Sequence, residues 1–514
     1  MSIAKTIVKN TSLAIISSMI EMGISFFVSI TLTRGLGTEQ YGLYSYTIWM
    51  LGLTAIAANI GLGEMAMRFI PEALGRKAPQ EAAGYIKLSF SYRLVSSTIV
   101  CIGIMLSSGF WVQQSDNAGD HLVFILVAIT IIPNTIQYLL ITIFKGFQRF
   151  DYALYMSLAM YPLRLILVIV FMAVGFGIIE ILILNMATVI LGIFLGTFLL
   201  LRLVPFRVLV SRSALSRDMK KQAWKYAITT AGILALGFLV GNQAAVFFIG
   251  IYCPVDAVGF YNLATRIGVF FHIFPMAFAY VLLPIVAEKF GSGENETIKE
   301  VYSTSLRFLM PIVLPLAVGG IALAAPIVTF LYGPDYEQTI ALLQVLLIFY
   351  SIGSLMDGGT SVIRGINQPG FLLMIRIICA AVNIGMSLWL IPKIGVIGAT
   401  LAFGMTALIM FPSYSIFIYK KVGARFPVGD ALKAVTASLI MGAVVYLVNI
   451  QISSSILSMA VGIPLGVIVY LVAIFALRYV RKEDLSIIRR VLNSLPAPLK
   501  RVSSAVTDFA EKFM

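Results

Sequence analysis

The sequence of 514 residues is 60% hydrophobic, and only 12% of its residues are Asp, Glu, Lys or Arg, whereas a soluble domain carries roughly 25% charged residues. A water-soluble fold of this composition would expose large apolar surfaces, so the composition excludes an ordinary soluble protein and predicts an integral membrane protein. The formal net charge of +14 does not indicate nucleic-acid binding, because the basic residues lie in short segments between apolar runs and not on one polar face.

Apolar runs long enough to cross a bilayer follow one another along most of the chain. A helix needs about 20 residues to cross, and these runs are too long and too uniformly apolar for the strands of a membrane barrel. The sequence therefore predicts an all-α integral membrane protein with about 14 transmembrane helices. The first run is itself long enough to span, so we expect a transmembrane helix there and no cleavable signal. The predicted spans are 12–33, 43–63, 85–109, 122–143, 153–175, 178–201, 226–250, 260–285, 302–325, 340–361, 371–391, 395–418, 430–449 and 456–478.

Lysine and arginine are distributed unevenly over the loops between these spans. If the N-terminus lies inside, nearly all loop lysines and arginines fall on the inner side, and the outer loops contain only Arg34 and Lys393. This bias is typical of the cytoplasmic face of a membrane protein. We therefore predict a multi-pass protein of the cytoplasmic (inner) membrane, with the N- and C-termini both cytoplasmic.

The spans also repeat, because adding roughly 217 residues to the first six boundaries nearly reproduces the next six. Gly42-x-Tyr44 returns as Gly259-x-Tyr261, and Lys145-Gly146-x-x-Arg149 resembles Arg364-Gly365-x-x-Gln368. Six crossings return the chain to the same side, so we predict two parallel six-helix lobes plus two extra helices. The predicted domains are an N-lobe (1–201), a basic cytoplasmic linker (202–225), a C-lobe (226–418), the extra helix pair (430–478) and a cytoplasmic amphipathic tail (479–514).

Three segments resemble the motifs of a known family. They are Arg34-Gly35-Leu36-Gly37-x-x-x-Tyr41-Gly42-x-Tyr44, Lys145-Gly146-Phe147-Gln148-Arg149 and Gly395-Val396-Ile397-Gly398-Ala399. In order and helix placement they look like those of the Wzx-like polysaccharide/oligosaccharide flippases of the multidrug/oligosaccharidyl-lipid/polysaccharide exporter superfamily. The resemblance implies a flippase that moves polyprenyl-pyrophosphate-linked oligosaccharide from the inner to the outer leaflet by alternating access, for cell-surface polysaccharide biosynthesis. The predicted helix number of this chain is closer to that of the lipid II flippases and sporulation-type members than to that of the Wzx proteins, many of which are described with twelve helices.

Arginines within the spans are the candidate substrate-binding residues. A charge at mid-membrane costs about 2.5–3.5 kcal/mol on insertion scales and usually faces a cavity or a partner. Arg164 lies near mid-depth, Arg266 nearer the outer side, Arg93 nearer the inner side and Arg34 at the outer rim. Guanidinium groups at successive depths could hand a pyrophosphate head group across the membrane. Alternatively, the arginines form intramembrane ion pairs, with Glu21 neutralising one of them.

Acidic residues within the spans bear on the energy source. Glu21 is the candidate coupling-ion residue for H⁺ or Na⁺, because it lies about ten residues into the first span. Glu180 and Asp357 lie near the ends of their spans, where a carboxylate is easily solvated.

Two loops recur at equal places in the two lobes and contain candidate gate residues. Lys145 and Arg149 belong to the first loop and Arg364 to the second. They could form a cytoplasmic gate, or they could only follow the positive-inside rule.

No metal site or cofactor is expected. Two histidines and three widely separated cysteines give no metal-ligand spacing, and no Gly-x-x-x-x-Gly-Lys-Ser/Thr loop is present for nucleotide hydrolysis. The protein is predicted not to be an enzyme, and its expected partners are a lipid-linked glycan, membrane lipids and H⁺ or Na⁺, without nucleic acid. Two alternative functions stay open: a multidrug exporter of the same superfamily, and a membrane glycan polymerase or glycosyltransferase.

Overall fold

The computed structural model describes residues 3–109, 121–207, 215–241 and 243–479. All regular structure within these ranges is helical, which confirms the all-α class. The helices are α1 (Ile3–Asn59), α2 (Leu62–Gly75), α3 (Pro79–Leu106), α4 (His121–Gly146), α5 (Phe150–Val174), α6 (Ile178–Leu203), α7 (Arg217–Val240), α8 (Gln243–Tyr252), α9 (Val255–Gly291), α10 (Asn295–Ala322), α11 (Ala324–Tyr332), α12 (Gln338–Gly365), α13 (Pro369–Ile394), α14 (Val396–Val422), α15 (Val428–Asn449) and α16 (Ser455–Ala476), with a 3₁₀ turn at Pro334–Tyr336. The predicted tail lies, apart from Tyr479, outside the described residues.

Twelve of the described helices are long and apolar enough to cross a membrane. The first, Ser12–Asn59, has 48 residues and holds two predicted spans, because α1 is interrupted at Gly37, where φ is 77° and ψ is 178°. The 37-residue helix α9 covers the predicted eighth span. The prediction of about 14 transmembrane helices is thus confirmed.

The two arms of α1 on either side of Gly37 run in opposite directions. Gly35, at the end of the first arm, packs against Met172 near the end of α5. Tyr44, in the second arm, contacts Arg164 at 3.0 Å, about 12 Å earlier along α5 at 1.5 Å per residue. The chain has therefore turned back at Gly37, whose positive φ favours glycine.

The predicted seventh span (226–250) is divided in the structure. Helix α7 begins earlier, at Arg217 inside the predicted linker, where the Ser216 hydroxyl accepts a hydrogen bond from the Met219 amide at 3.2 Å. It ends at Val240, before the extended residue Gly241, and α8 starts at Gln243. The Trp49 indole N–H donates to the Gln243 carbonyl at 2.8 Å. Hydropathy cannot detect this break, because both sides of it are apolar.

The described chain divides into two compact units. The first contains residues 1–263 and 384–399, and the second contains residues 264–383 and 400–514. The predicted lobes follow the sequence repeat, whereas these units follow packing and are divided within α9, α13 and α14.

In the first unit, α1 packs mainly on α5, and α4 packs on α3 and α6. Helices α2, α3, α4 and α7 enclose an apolar core. There Phe69 stacks on Tyr85 with 5.1 Å between ring centroids, and Tyr226 meets Phe69 edge-on. This core supports the polar groups of α1 to α4 that are described below.

In the second unit, α10 packs on α12 and α15, and α15 packs on α16. A buried ion pair joins α10 to α15, with 3.1 Å between Arg307 Nε and Asp430 Oδ2. The Tyr479 hydroxyl, just after α16, donates to the Arg307 carbonyl at 2.6 Å. The two extra helices are therefore fixed parts of this unit.

The repeat is visible in the backbone of the two equivalent loops. Gln148 and Asn367 both have a φ of 57°, the left-handed region. The amide of Gln148 donates to the Lys145 carbonyl and that of Asn367 to the Arg364 carbonyl, both at 3.0 Å. The two loops thus share one conformation although only part of their sequence is shared.

Candidate functional site

A row of polar side chains joins α1 to α5 within the apolar part of the first unit. The hydroxyl oxygens of Ser17 and Ser157 are 2.7 Å apart, and one turn further along both helices the Tyr161 hydroxyl donates to the Glu21 carboxylate. Residues four apart share a helix face, so the contacts follow from the spacing. Glu21 is exposed on the surface of its helix. A carboxylate at this depth is compatible with a watered cavity and costly against lipid.

Arg164 continues this row, three residues after Tyr161 on α5. The guanidinium is half-buried, and its Nη2 donates to the hydroxyl oxygen of Tyr44 at 3.0 Å. Tyr44 itself is 4% exposed. A phenol orients a guanidinium but does not neutralise it, so Arg164 retains its positive charge for another anion.

Arg93 occupies a different environment, at the junction of α1 and α2. Its side chain is 0% exposed, and its Nη2 donates to the Asn59 side-chain oxygen. The same oxygen accepts from the Gly63 amide at 3.1 Å, and the Asn59 amide group donates to Glu64 at 3.1 Å. Arg93 Nε and Nη1 have no acceptor among the described residues. Arg93 thus lies under the turn at the start of α2.

Tyr138 on α4 relates these groups to one another. It is 46% exposed and lies within electrostatic range of Glu64, Arg93 and Glu21. The first unit therefore brings Glu21 and Arg93 to the same aromatic side chain, with Arg164 one turn from the tyrosine that binds Glu21.

The other two predicted arginines lie elsewhere. Arg34 is exposed at the end of the first arm of α1, next to Gly35. Arg266 is half-buried on α9 and belongs to the second unit. The substrate-binding role of all four arginines stays a prediction.

The predicted gate residues lie at the ends of α4 and α12 and in the loop after α4. Lys145 is half-buried in the last turn of α4, and Arg364 is exposed at the end of α12. Arg149 binds Asp151 through two nitrogens, with 2.7 Å between Nη2 and Oδ2, and its guanidinium lies 3.9 Å from the ring centroid of Tyr152. Hydrogen bonds to Asp151 raise the pKa of Arg149 above its usual value. Arg149 therefore braces its own loop, and its gate role stays a prediction.

Several contacts between polar residues were not predicted from the sequence. Asn59 and Glu64 join Arg93, and in the second unit His272 meets Ser354 and Asp357. A histidine in the middle of an apolar span was a usable signal. Glu64 gave none, because it follows directly after a predicted span.

Among the described residues, no group of three or more His, Cys, Asp or Glu could hold a metal ion. A two-unit helical bundle with charged side chains inside apolar spans defines the class: a multi-pass membrane transport protein. The solved structures that share this fold include two of different transport classes. One is the lipid II flippase MurJ in its inward closed conformation, with a TM-score of 0.68 and 18% identity over 91% of this chain and 98% of that chain. The other is an inward-facing multidrug resistance MATE family transporter, with a TM-score of 0.63 and 16% identity over 80% of this chain and 98% of that chain.

Residues 7–290 match the sequence pattern of the polysaccharide biosynthesis protein family, and residues 231–389 match that of the MatE family. The chain belongs to the polysaccharide biosynthesis protein family, which confirms the resemblance inferred from the motifs. It is 23% identical over 462 residues to the probable low-salt glycan biosynthesis flippase Agl15 of Haloferax volcanii, covering 87% of this chain and 90% of that protein. It is 24% identical over 178 residues to the lipid II flippase MurJ of Bacillus subtilis, covering 34% of this chain and 33% of that protein. These relatives are named as flippases and not as enzymes.

Proposed function

We propose that this protein is a flippase that moves polyprenyl-pyrophosphate-linked oligosaccharide from the inner to the outer leaflet of the cytoplasmic membrane, for cell-surface polysaccharide biosynthesis. Family membership and the flippase relatives support transport of a lipid-linked glycan. One structural observation carries the proposal: Arg164 lies half-buried in a transmembrane helix and is held by the phenol of Tyr44. Within the described part of the chain, the hydrogen-bond partner of Arg164 is this phenol and not a carboxylate, and such a guanidinium is suited to a phosphate.

The proposed mechanism is alternating access between the two lobes. The pyrophosphate binds Arg164 and is passed between the arginines, while the exposed Tyr138 offers its hydroxyl to the sugars and the polyprenyl tail stays in lipid. Glu21 is the candidate residue for a coupling H⁺ or Na⁺. An inside-negative membrane potential also favours outward movement of an anionic head group by about 2.3 kcal/mol per charge per 100 mV.

The orientation proposed for this mechanism places both termini in the cytoplasm. It follows from the distribution of lysine and arginine over the loops. Single cysteines introduced at Lys393 and at Lys420 should be labelled from opposite sides of the membrane by an impermeant maleimide in intact cells and inverted vesicles. Labelling of both from the same side would overturn this orientation.

The function is tested by the amount and the leaflet of the lipid-linked intermediate in a deletion strain. The intermediate should accumulate on the cytoplasmic leaflet, and the wild-type gene should restore its normal level. Arg164→Gln should fail to restore it, whereas Arg217→Gln, which removes an exposed arginine at the start of α7, should restore it. An unchanged intermediate in the deletion strain, or an intermediate that reaches the outer leaflet, would refute the proposal.

The MatE match over residues 231–389 and the fold shared with a multidrug transporter support drug export as the second candidate. In that case the deletion strain should become more sensitive to cationic drugs while its lipid-linked intermediates stay normal. The arginine-rich character of the spans favours an anionic substrate over a cationic one.

A further inference from the structure

Helices α9 and α12 of the second unit run side by side in the same direction. The His272 Nδ1 and the Ser354 hydroxyl oxygen are 2.9 Å apart, and the Ser361 hydroxyl donates to the Ala279 carbonyl at 2.8 Å. Both pairs are separated by 82 residues in the sequence. The two helices therefore keep one register over about two turns.

The His272 ring is held at both of its nitrogens within this contact. Nδ1 faces the Ser354 hydroxyl, and Nε2 lies 3.3 Å from Asp357 Oδ2. Asp357 Oδ2 is buried and accepts no hydrogen bond among the described residues. This carboxylate oxygen can therefore still accept a hydrogen bond from the imidazole.

The register places this pair deep within the helices. His272 is close to the middle of α9, and its contact fixes Asp357 at the same level. Helix α12 continues to Gly365, about 12 Å beyond Asp357. The His272 and Asp357 side chains are 28% and 26% exposed, whereas the Asp357 Oδ2 atom itself is buried.

The charged groups that act on Asp357 within the described chain are His272 on α9 and Arg364 on α12. On the neighbouring helices, Ser305 of α10 lies beside Gly358, and Phe403 of α14 packs on Tyr350, whose ring is 6.3 Å from that of His272. Tyr414 of α14 lies beside Gly359 and interacts with Arg364 and with Arg376 of α13. The protonation of the pair is therefore governed by few groups.

We propose that His272 and Asp357 form a proton-binding pair that couples transport to proton movement. This proposal rests on the proposed flippase function, and it adds a second candidate coupling site to that of Glu21. In the neutral imidazole, Nε2–H faces Asp357 and Nδ1 accepts from the Ser354 hydroxyl. On proton uptake Nδ1–H donates instead, and the hydroxyl rotates to accept it. Only the hydroxyl hydrogen of Ser354 has to rotate, and no heavy atom has to move, for the ring to gain its proton.

The neutral imidazole and the carboxylate together carry a charge of −1. After proton uptake the imidazolium balances the carboxylate, and the charge of the pair is zero. The protonated pair attracts and holds α9 against α12. Release of the proton weakens that contact and leaves the carboxylate to Arg364. The pair thus converts a proton into a change in the attraction between two helices.

Proton binding can be measured without any substrate. The chain has two histidines, so in a His121→Gln background the nitrogen-15 signal of labelled histidine in the purified full-length protein reports on His272 alone. Asp357→Asn should move its proton uptake to lower pH, because a neighbouring negative charge is lost. Asp335→Asn, an exposed carboxylate in the turn after α11, should leave it unchanged. Equal titration in all three proteins would overturn the proposal.

Coupling is measured in proteoliposomes that contain a lipid-linked oligosaccharide and carry an imposed pH gradient. The wild-type protein and the Asp335→Asn variant should flip faster with the gradient than without it. His272→Gln and Asp357→Asn should lose this gradient-dependent part, and if they keep it the proposal is overturned. If the wild-type protein does not flip the lipid at all, the proposed function fails, while the histidine titration still decides proton binding.

Discussion

Gly42 and Gly259, which occupy equivalent places in the two sequence repeats, pack against one another. A Cβ atom built on Gly259 would lie 3.1 Å from the Gly42 Cα, and one built on Gly42 would lie 2.3 Å from the Val255 carbonyl oxygen. The glycine of the Gly-x-Tyr motif therefore permits close backbone contact. Backbone packing therefore explains why both copies of the motif contain glycine, independently of any role in transport.

Replacement of Gly42 by alanine is therefore expected to destabilise the protein. The added methyl group meets backbone atoms, which cannot rotate away, and overpacking of this kind costs about 1–3 kcal/mol. Gly52→Ala is the matched control, because that glycine lies in the same helix and has no atom within 4 Å of its Cβ position. Thermal unfolding of the detergent-purified variants would show the difference, and equal midpoints would contradict the contact.

Arg93 and Arg164 should respond differently to substitution. Arg93→Met removes the buried charged donor to the Asn59 side-chain oxygen and is expected to cost about 1.5–3 kcal/mol of stability. Arg164→Gln affects a half-buried residue and should leave the unfolding midpoint near that of wild type while transport is lost. Fluorescence-detected size exclusion after heating measures the first effect and the lipid-linked intermediate measures the second. A stable Arg93→Met protein would show that Arg93 does not support the start of α2.

The ion pair between Arg307 and Asp430 should stabilise the packing of α15 on α10. Asp430→Asn leaves a buried arginine uncompensated, and such changes cost about 3–5 kcal/mol. Replacing both partners, as Arg307→Met with Asp430→Leu, should recover most of the loss. Glu296→Gln, at an exposed pair with Lys299, is the control and should have little effect on thermal unfolding. The prediction fails if the single and double variants unfold alike.

Two carboxylates in the membrane region should have separable roles. Glu180 accepts a hydrogen bond from the Gly177 amide at 2.9 Å and thus caps the start of α6, so Glu180→Ala should cost about 0.5–2 kcal/mol. Glu21→Gln should preserve stability and reduce transport. Parallel thermal unfolding and complementation assays distinguish the two, and a Glu21→Gln variant with normal transport would remove Glu21 as a coupling residue.

Cys253, in the turn between α8 and α9, should react slowly with maleimides. Burial raises the pKa of its thiol, so at neutral pH a smaller fraction is thiolate than for an exposed cysteine, and the reactive form appears only as the pH rises. Mass spectrometry of the native protein alkylated over a range of pH would show labelling that increases well above neutral pH, and detergent-denatured protein supplies the fully labelled reference. Rapid native labelling at neutral pH would refute the prediction.

Hydropathy predicted the spans well because it is a local property of about 20 residues. The shared backbone of the loops at Lys145 and Arg364 also followed from local sequence. The break between α7 and α8 was not predicted, because the apolar run continues on both sides of the extended residue Gly241. Arg307 and Asp430 could not be paired from sequence, because tertiary packing alone decides which face of each helix meets the other.

The candidate site was predicted in its residue types and not in its contacts. The cost of a charge in the membrane singled out Arg93 and Arg164, whose substrate-binding role stays a prediction. Their different surroundings depend on the turn at Ile60 and Gly61, where both residues have positive φ and the chain brings Asn59 over α3. Such a turn carries no hydropathy signal. The sequence therefore did not distinguish the buried Arg93 from the half-buried Arg164.

Because α1 reverses direction at Gly37, both of its arms contact the same helix, α5. One side of α5 holds the first arm through Tyr161 and Glu21, and Arg164 holds the second arm through Tyr44. An anion that draws the guanidinium away from Tyr44 removes this fastening on the second arm while leaving the one on the first. In the proposed mechanism, an anion bound at Arg164 would therefore loosen the second arm, and the angle between the two arms at Gly37 would report on anion binding.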